Sequence, residues 1–144
     1  MSSRLIVDTN VLVSALTSAD GASRQVLRRL LLGENIALVS VALYLEYVDV
    51  LSREDVMARS PLSRVDRDAL FDAFLSATQF VTVFYQWRPN LRDEGDNHVF
   101  ELAVAAGDAP LVTYNVKDFE SAQLKFPSLR IMTPAQWLNL PRSD

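Results

Sequence analysis

Leu5-Ile6-Val7-Asp8-Thr9-Asn10, close to the amino end, sets three apolar residues in a row and then stops on an acid. An apolar run without polar alternation suits a strand buried on both faces, as strands of a parallel sheet are. In an open parallel sheet, ligands bind in the crevice beyond the carboxyl ends of the strands, so a side chain leaving this run points into that crevice. Asp8 therefore has two readings. It can form an Asx turn or cap the helix that follows, or it can be a functional carboxylate.

Working outward, strands and helices alternate. A short helical stretch around Val11 to Leu16 follows Asp8, and Ser18 to Gly21 breaks it. A helix from about Ser23 to Leu32 is stopped by Gly33. Ile36 to Val39 predicts a second strand, and Ser40 an N-cap for a helix running to about Leu51. Ser52 to Ser60 reads as a polar connection. A helix from about Val65 to Ala77 follows, with Ser63 and Asp66 resembling a capping box. Phe80 to Tyr85, rich in Val, Thr and aromatics, predicts a third strand, and Gln86 to Gly95 a loop. Asp96 to Ala106 predicts a helix ended by Gly107, and Leu111-Val112-Thr113 a fourth strand. Asp118 to Leu124 reads as a short helix and Arg130-Ile131-Met132 as a fifth strand. Thr133-Pro134-Ala135-Gln136 is a helix start with cap, proline at the first position and a capping-box Gln. The alternation predicts a three-layer α/β/α sandwich with a mostly parallel central sheet, built as one domain over residues 1–144.

Composition narrows the chemistry. An apolar fraction of 49% over 144 residues is enough for a proper core. No stretch approaches the roughly 18 consecutive apolar residues that span a bilayer, and the start lacks the features of a signal peptide. A cytoplasmic protein with no membrane partner is the expectation. With no cysteine and one histidine, thiolate zinc sites, cysteine nucleophiles and multi-histidine metal sites are excluded. The net charge of -4 argues against a surface that coats nucleic acid. Nearly all the basic residues are Arg, which suits bidentate phosphate contacts.

Two more acids join Asp8. Glu46 lies within the apolar segment Val41 to Leu51, with Leu43 and Val50 as helical neighbours. A carboxylate there costs several kcal/mol in lost hydration, about the scale of a buried ion, unless an Arg or a cation offsets it. Asp96 opens a helical pattern, where the helix dipole alone would favour it. In a parallel sheet the ends of strands one and four and the start of that helix can face one crevice, and Thr113 and Asn115 would join them. Carboxylates converging without histidine or cysteine favour a hard cation with oxygen ligands, Mg²⁺ or Mn²⁺. Asp93 and Glu94 read as solvated loop acids. His98 has no nucleophile elbow to serve and reads as a surface or helix-start residue. Trp87, Tyr114 and Phe119 are of a type that stacks bases, although Phe119 and Trp137 suit the core. Arg24, Arg28 and Arg29 read as a solvated helix face, whereas Arg88 and Arg92 flank Pro89 just before Asp96 and are better placed for phosphate.

The segments Leu5-Ile6-Val7-Asp8-Thr9-Asn10-Val11-Leu12, Glu46 on the third helix, Arg92-Asp93-x-x-Asp96 with Ala103, and Leu111-Val112-Thr113-Tyr114-Asn115-Val116-Lys117-Asp118-Phe119 resemble, in order and spacing, the PIN domain family of nucleases. The resemblance extends to the Thr133-Pro134 helix start, and within the family it is to small bacterial toxins of the VapC type. It implies a Mg²⁺- or Mn²⁺-dependent endoribonuclease that leaves a 5'-phosphate and a 3'-hydroxyl. Asp8, Glu46 and Asp96 match the first three acids, as catalytic residues and metal ligands. Asn115 stands where the family often has a fourth acid, with Asp118 as a possible substitute ligand. Thr9, Asn10, Thr113 and Asn115 would orient the carboxylates, and Arg88, Arg92 and Lys117 would contact RNA. The resemblance also implies a cognate antitoxin and a homodimer, with residues 24–32 or 63–77 at the contact. Two other readings stand beside it: a PIN-like RNA-binding or partner-binding module without catalysis, and a receiver-like phosphoacceptor switch. The second lacks paired acids after strand one and an Asp ending a mid-chain strand.

Overall fold

A computed structural model of the chain describes residues 3–18, 21–83, 97–107, 109–120, 123 and 126–141. Five strands, β1 (Ser3–Val7), β2 (Asn35–Val39), β3 (Thr78–Phe80), β4 (Leu111–Val112) and β5 (Ile131–Met132), form one sheet in the order β3-β2-β1-β4-β5. Every pairing is parallel. Between them run α1 (Thr9–Thr17), α2 (Ala22–Leu31), α3 (Val41–Leu51), α4 (Glu54–Met57), α5 (Arg64–Ser76) and α6 (Asn97–Ala106), with α7 (Pro134–Leu138) closing the chain. The result is the expected three-layer α/β/α sandwich. From β1 to β3 the chain steps one way across the sheet, and from β3 to β5 it steps back. Right-handed crossovers therefore send the two sets of connections to opposite faces, and the reversal falls between β1 and β4.

β1 is the central strand, which explains its composition: Leu5, Ile6 and Val7 are all at most 2% exposed. α1 buries Val11, Leu12, Ala15 and Leu16, and α2 buries Val26, Leu27 and Leu30. α1 packs on α2 and α3, and α2 packs on α7. There Arg29 lies 5.2 Å over the Trp137 ring rather than in solvent. Arg24 also departs from a solvated face, since its Nε donates to the Ala15 carbonyl at 2.7 Å. Phe119 and Trp137 belong to the core.

Local signals mark many of the element ends. The hydroxyls of Ser40, Ser63 and Thr133 accept from Leu43, Asp66 and Gln136 amides, and the Thr133–Gln136 capping box is complete. Gly33 and Gly107 terminate α2 and α6 at φ 77°, a conformation costly for any residue with a Cβ. Three elements differ from the sequence reading. β3 begins at Thr78, paired with Ala37 of β2, rather than at Phe80. It ends at Phe80 beside Val39, where Ser40 turns the chain into α3; residues 84–85 of the expected strand lie outside the described residues. The last rung is the Val81 amide on the Val39 carbonyl at 2.9 Å. The polar connection after α3 contains α4, anchored by buried Met57. The short helix expected at Asp118 starts earlier, as a 3-10 turn over Val116–Phe119. Among the described residues no helix is long and apolar enough to cross a membrane.

Candidate active site

β1 and β4 pair through Ile6–Leu111 and Val7–Val112, and the Asp8 amide continues the ladder onto the Val112 carbonyl at 3.0 Å. Asp8 and Thr113 thus leave neighbouring strands side by side at the point where the sheet order reverses. Their side chains meet: the Thr113 hydroxyl donates to Asp8 Oδ2 at 2.8 Å. The same hydroxyl oxygen accepts from the Asn115 amide at 3.0 Å and from Asn10 Nδ2 at 3.4 Å. One donor and two acceptor positions are thereby all engaged. Asn10 Nδ2 also lies 3.4 Å from Asp8 Oδ2, and Asn10 Oδ1 accepts from the Tyr114 amide at 3.2 Å.

The capping reading of Asp8 holds. The residue is the N-cap of α1, with Oδ1 accepting from the Thr9 amide at 2.8 Å. It is also only 4% exposed at the crevice. Burial raises its pKa above the ordinary carboxylate value, and the negative Glu46 adds to the rise. The hydrogen bonds from Thr113 and Thr9, and the proximity of His98, offset part of it.

Glu46 reaches the same place from α3. Its Oε2 accepts from the Thr9 hydroxyl, and its Oε1 lies 3.1 Å from His98 Nε2 at the start of α6. Burial would raise its pKa, but the bonds from His98 and Thr9, together with the proximity of His98 and Arg53, outweigh that and the net shift is downward. Among the described residues no Arg bonds to Glu46, although the charge of Arg53 adds to the downward shift. Arg53 pairs instead with Asp49 at 2.6 Å on the surface.

Two residues at the site escaped the sequence reading. His98 sits at a helix start, as expected, yet faces Glu46 rather than solvent. Tyr47 is completely buried, and its hydroxyl donates to the Val7 carbonyl, binding α3 to the last residue of β1. Burial and the nearby Asp8 and Glu46 push its phenol well above the ordinary value, so it remains a donor. The signal for Tyr47 was its place beside Glu46 on an apolar helix. Tyr114 is half-exposed at the rim, its hydroxyl hydrogen-bonded to that of buried Ser23.

The other expected residues are less drawn in. Asn115 and Lys117 are exposed, and Asp118 is exposed in the 3-10 turn. Asp96, Arg88, Arg92 and Trp87 lie outside the described residues, as do Asp93 and Glu94. Among the described residues no three acids or histidines form a cluster able to hold a metal ion. The donor chemistry nevertheless fits a hard cation. Asp8 and Glu46 bring carboxylate oxygens to one crevice, and among the described residues Asp8 meets neutral donors alone, without Arg or Lys. A desolvated carboxylate held in this way gains most from a small, doubly charged ion.

An open parallel sheet with an acid and a threonine paired at its switch point defines a Rossmann-like α/β protein. A family model for the PIN domain matches residues 4–117, and the chain belongs to that family. Among solved structures it is similar to the crystal structure of VapBC2 from Rickettsia felis bound to a DNA fragment from their promoter. The TM-score is 0.58 at 18% identity, covering 89% of this chain and 96% of that one. At such identity the likeness is one of fold. Among curated proteins nothing matches.

Proposed function

We propose that this chain is a metal-dependent endoribonuclease, the toxin of a toxin–antitoxin pair. The observation that carries the reading is Asp8: a carboxylate buried at the switch point, beside Glu46, in a PIN domain. In this reading Asp8, Glu46 and Asp96 hold Mg²⁺ or Mn²⁺, with Asp118 as a further candidate. The bound cation would supply Lewis acidity, making its water a better nucleophile and neutralising charge on the scissile phosphate. The protein's own part is positional. Thr113, Asn10 and the Thr9 amide fix the Asp8 carboxylate, and Tyr47 fixes the strand end that carries it. Arg88, Arg92 and Lys117 are proposed to contact the RNA backbone, and the VapBC2 neighbour supports a cognate antitoxin as partner. The toxin acts as a homodimer in the cytoplasm.

Purified protein, stripped of metal and checked by elemental analysis, should cleave RNA only after Mg²⁺ or Mn²⁺ is restored. Full cleavage by the metal-free protein would overturn the metal role. Asn115, exposed where the family often has an acid, favours the second reading of a PIN-like RNA-binding or partner-binding module. RNA binding without cleavage at any metal concentration would select it.

A further inference from the structure

His98 is the chain's one histidine and the second residue of α6. Its Nε2 lies 3.1 Å from Glu46 Oε1, while the other carboxylate oxygen accepts from the Thr9 hydroxyl. Its Nδ1 is buried and has no hydrogen-bond partner among the described residues. Of the two neutral tautomers, these contacts favour the one with its proton on Nε2. With the proton on Nε2 the ring donates to the carboxylate, and the buried Nδ1 keeps only a lone pair. With the proton on Nδ1, a buried N–H would lack an acceptor among the described residues and two lone pairs would face each other across 3.1 Å.

We propose that His98 is a positioning residue for Glu46: its Nε2–H and the Thr9 hydroxyl grip the two carboxylate oxygens and fix the plane in which Glu46 meets a divalent cation. This rests on the nuclease reading above. Outer hydrogen bonds of this kind orient metal-binding carboxylates and strengthen the site. The same bond ties the start of α6 to α3, two residues beyond Asp96. A purely structural tether would be replaced by any side chain that fills the space. A positioning role needs a donor at the Nε2 position.

The test uses that difference. His98→Leu fills the space without a donor, His98→Asn carries an amide too short to reach Glu46, and His98→Gln places an amide near the Nε2 position. The expected result is a loss of about 10- to 100-fold in Mg²⁺ affinity for Leu and Asn, read by calorimetry on the protein without RNA, and recovery of most of it in Gln. Cleavage should fall in kcat with KM for RNA unchanged. In ¹⁵N-labelled wild type the single imidazole should show the Nε2–H tautomer. An Nδ1–H tautomer, or wild-type Mg²⁺ affinity in His98→Asn, would overturn the proposal. Should His98→Leu not fold, Asn and Gln with the tautomer decide it. Wild type that binds Mg²⁺ yet cleaves no RNA would refute the nuclease reading and leave the role of His98 standing. Wild type that binds no cation refutes both.

Discussion

Thr113→Val removes one hydroxyl from a completely buried position and keeps the shape of the side chain. That hydroxyl donates to Asp8 Oδ2 at 2.8 Å, and a hydrogen bond to a charged group is worth about 1.5–3 kcal/mol. The Asn115 amide it accepts from belongs to an exposed residue and can turn to water, and Asn10 Nδ2 keeps its contact with Asp8 Oδ2, so little is added there. The variant should therefore lose about 2 kcal/mol at neutral pH in chelator, lowering Tm by roughly 6–8 °C for a chain of this length. The sign of the pH dependence follows from Asp8. Its folded pKa is raised above the unfolded value of about 3.9, so the stability it contributes is full below that value and is lost as pH rises through the folded pKa. Removing the Thr113 bond raises the folded pKa further and enlarges that loss. The difference between wild type and Thr113→Val should thus be small at acid pH, widen as Asp8 ionises, and level off above the variant's pKa. Thermal melts of both proteins across that range, in EDTA, provide the measurement. A Tm within 1–2 °C of wild type at neutral pH, less than about 0.5 kcal/mol, or a penalty that does not change with pH, would show that the hydroxyl does not support an ionised Asp8.

Tyr47→Phe should cost about 1–2 kcal/mol in urea denaturation, since it strips the donor from the buried Val7 carbonyl, and an unchanged midpoint would refute the contact. In wild type, ultraviolet titration should find a tyrosine that ionises well above the ordinary phenol value, and the absence of any such transition would contradict the burial of Tyr47. Glu46→Gln should abolish cleavage while leaving circular dichroism intact, because the amide keeps the volume and still accepts from Thr9; cleavage within a few-fold of wild type would remove Glu46 from the chemistry. Mn²⁺ should raise the Tm of wild type by binding the native state, and Asp8→Asn and Asp96→Asn should lose most of that shift; an equal shift in either variant would take that residue out of the metal site.

Much of the architecture was legible because its causes are local. The Leu5-Ile6-Val7 run needs no partner to announce a strand buried on both faces. Ser40, Ser63 and Thr133 satisfy amides three residues onward, within reach of any sequence reading. Gly33 and Gly107 mark positive φ, which is a property of the single residue. The start of β3 was not legible, since Thr78 and Gln79 lack the strand character of Phe80 to Tyr85, and only β2 beside them, through Ala37 and Leu38, draws them into the sheet.

The sequence by itself determined that acids end β1 and occupy α3, that the sheet is mostly parallel, and that no thiolate ligand or cysteine chemistry is available. Only the tertiary structure decided what those acids touch. Thr113 lies 105 residues from Asp8, His98 lies 52 from Glu46, and Tyr47 lies 40 from Val7. Hydrogen bonds across such separations leave no periodicity or local composition to read. They exist because strand order and helix packing bring backbone ends together, and buried side chains there must then satisfy one another.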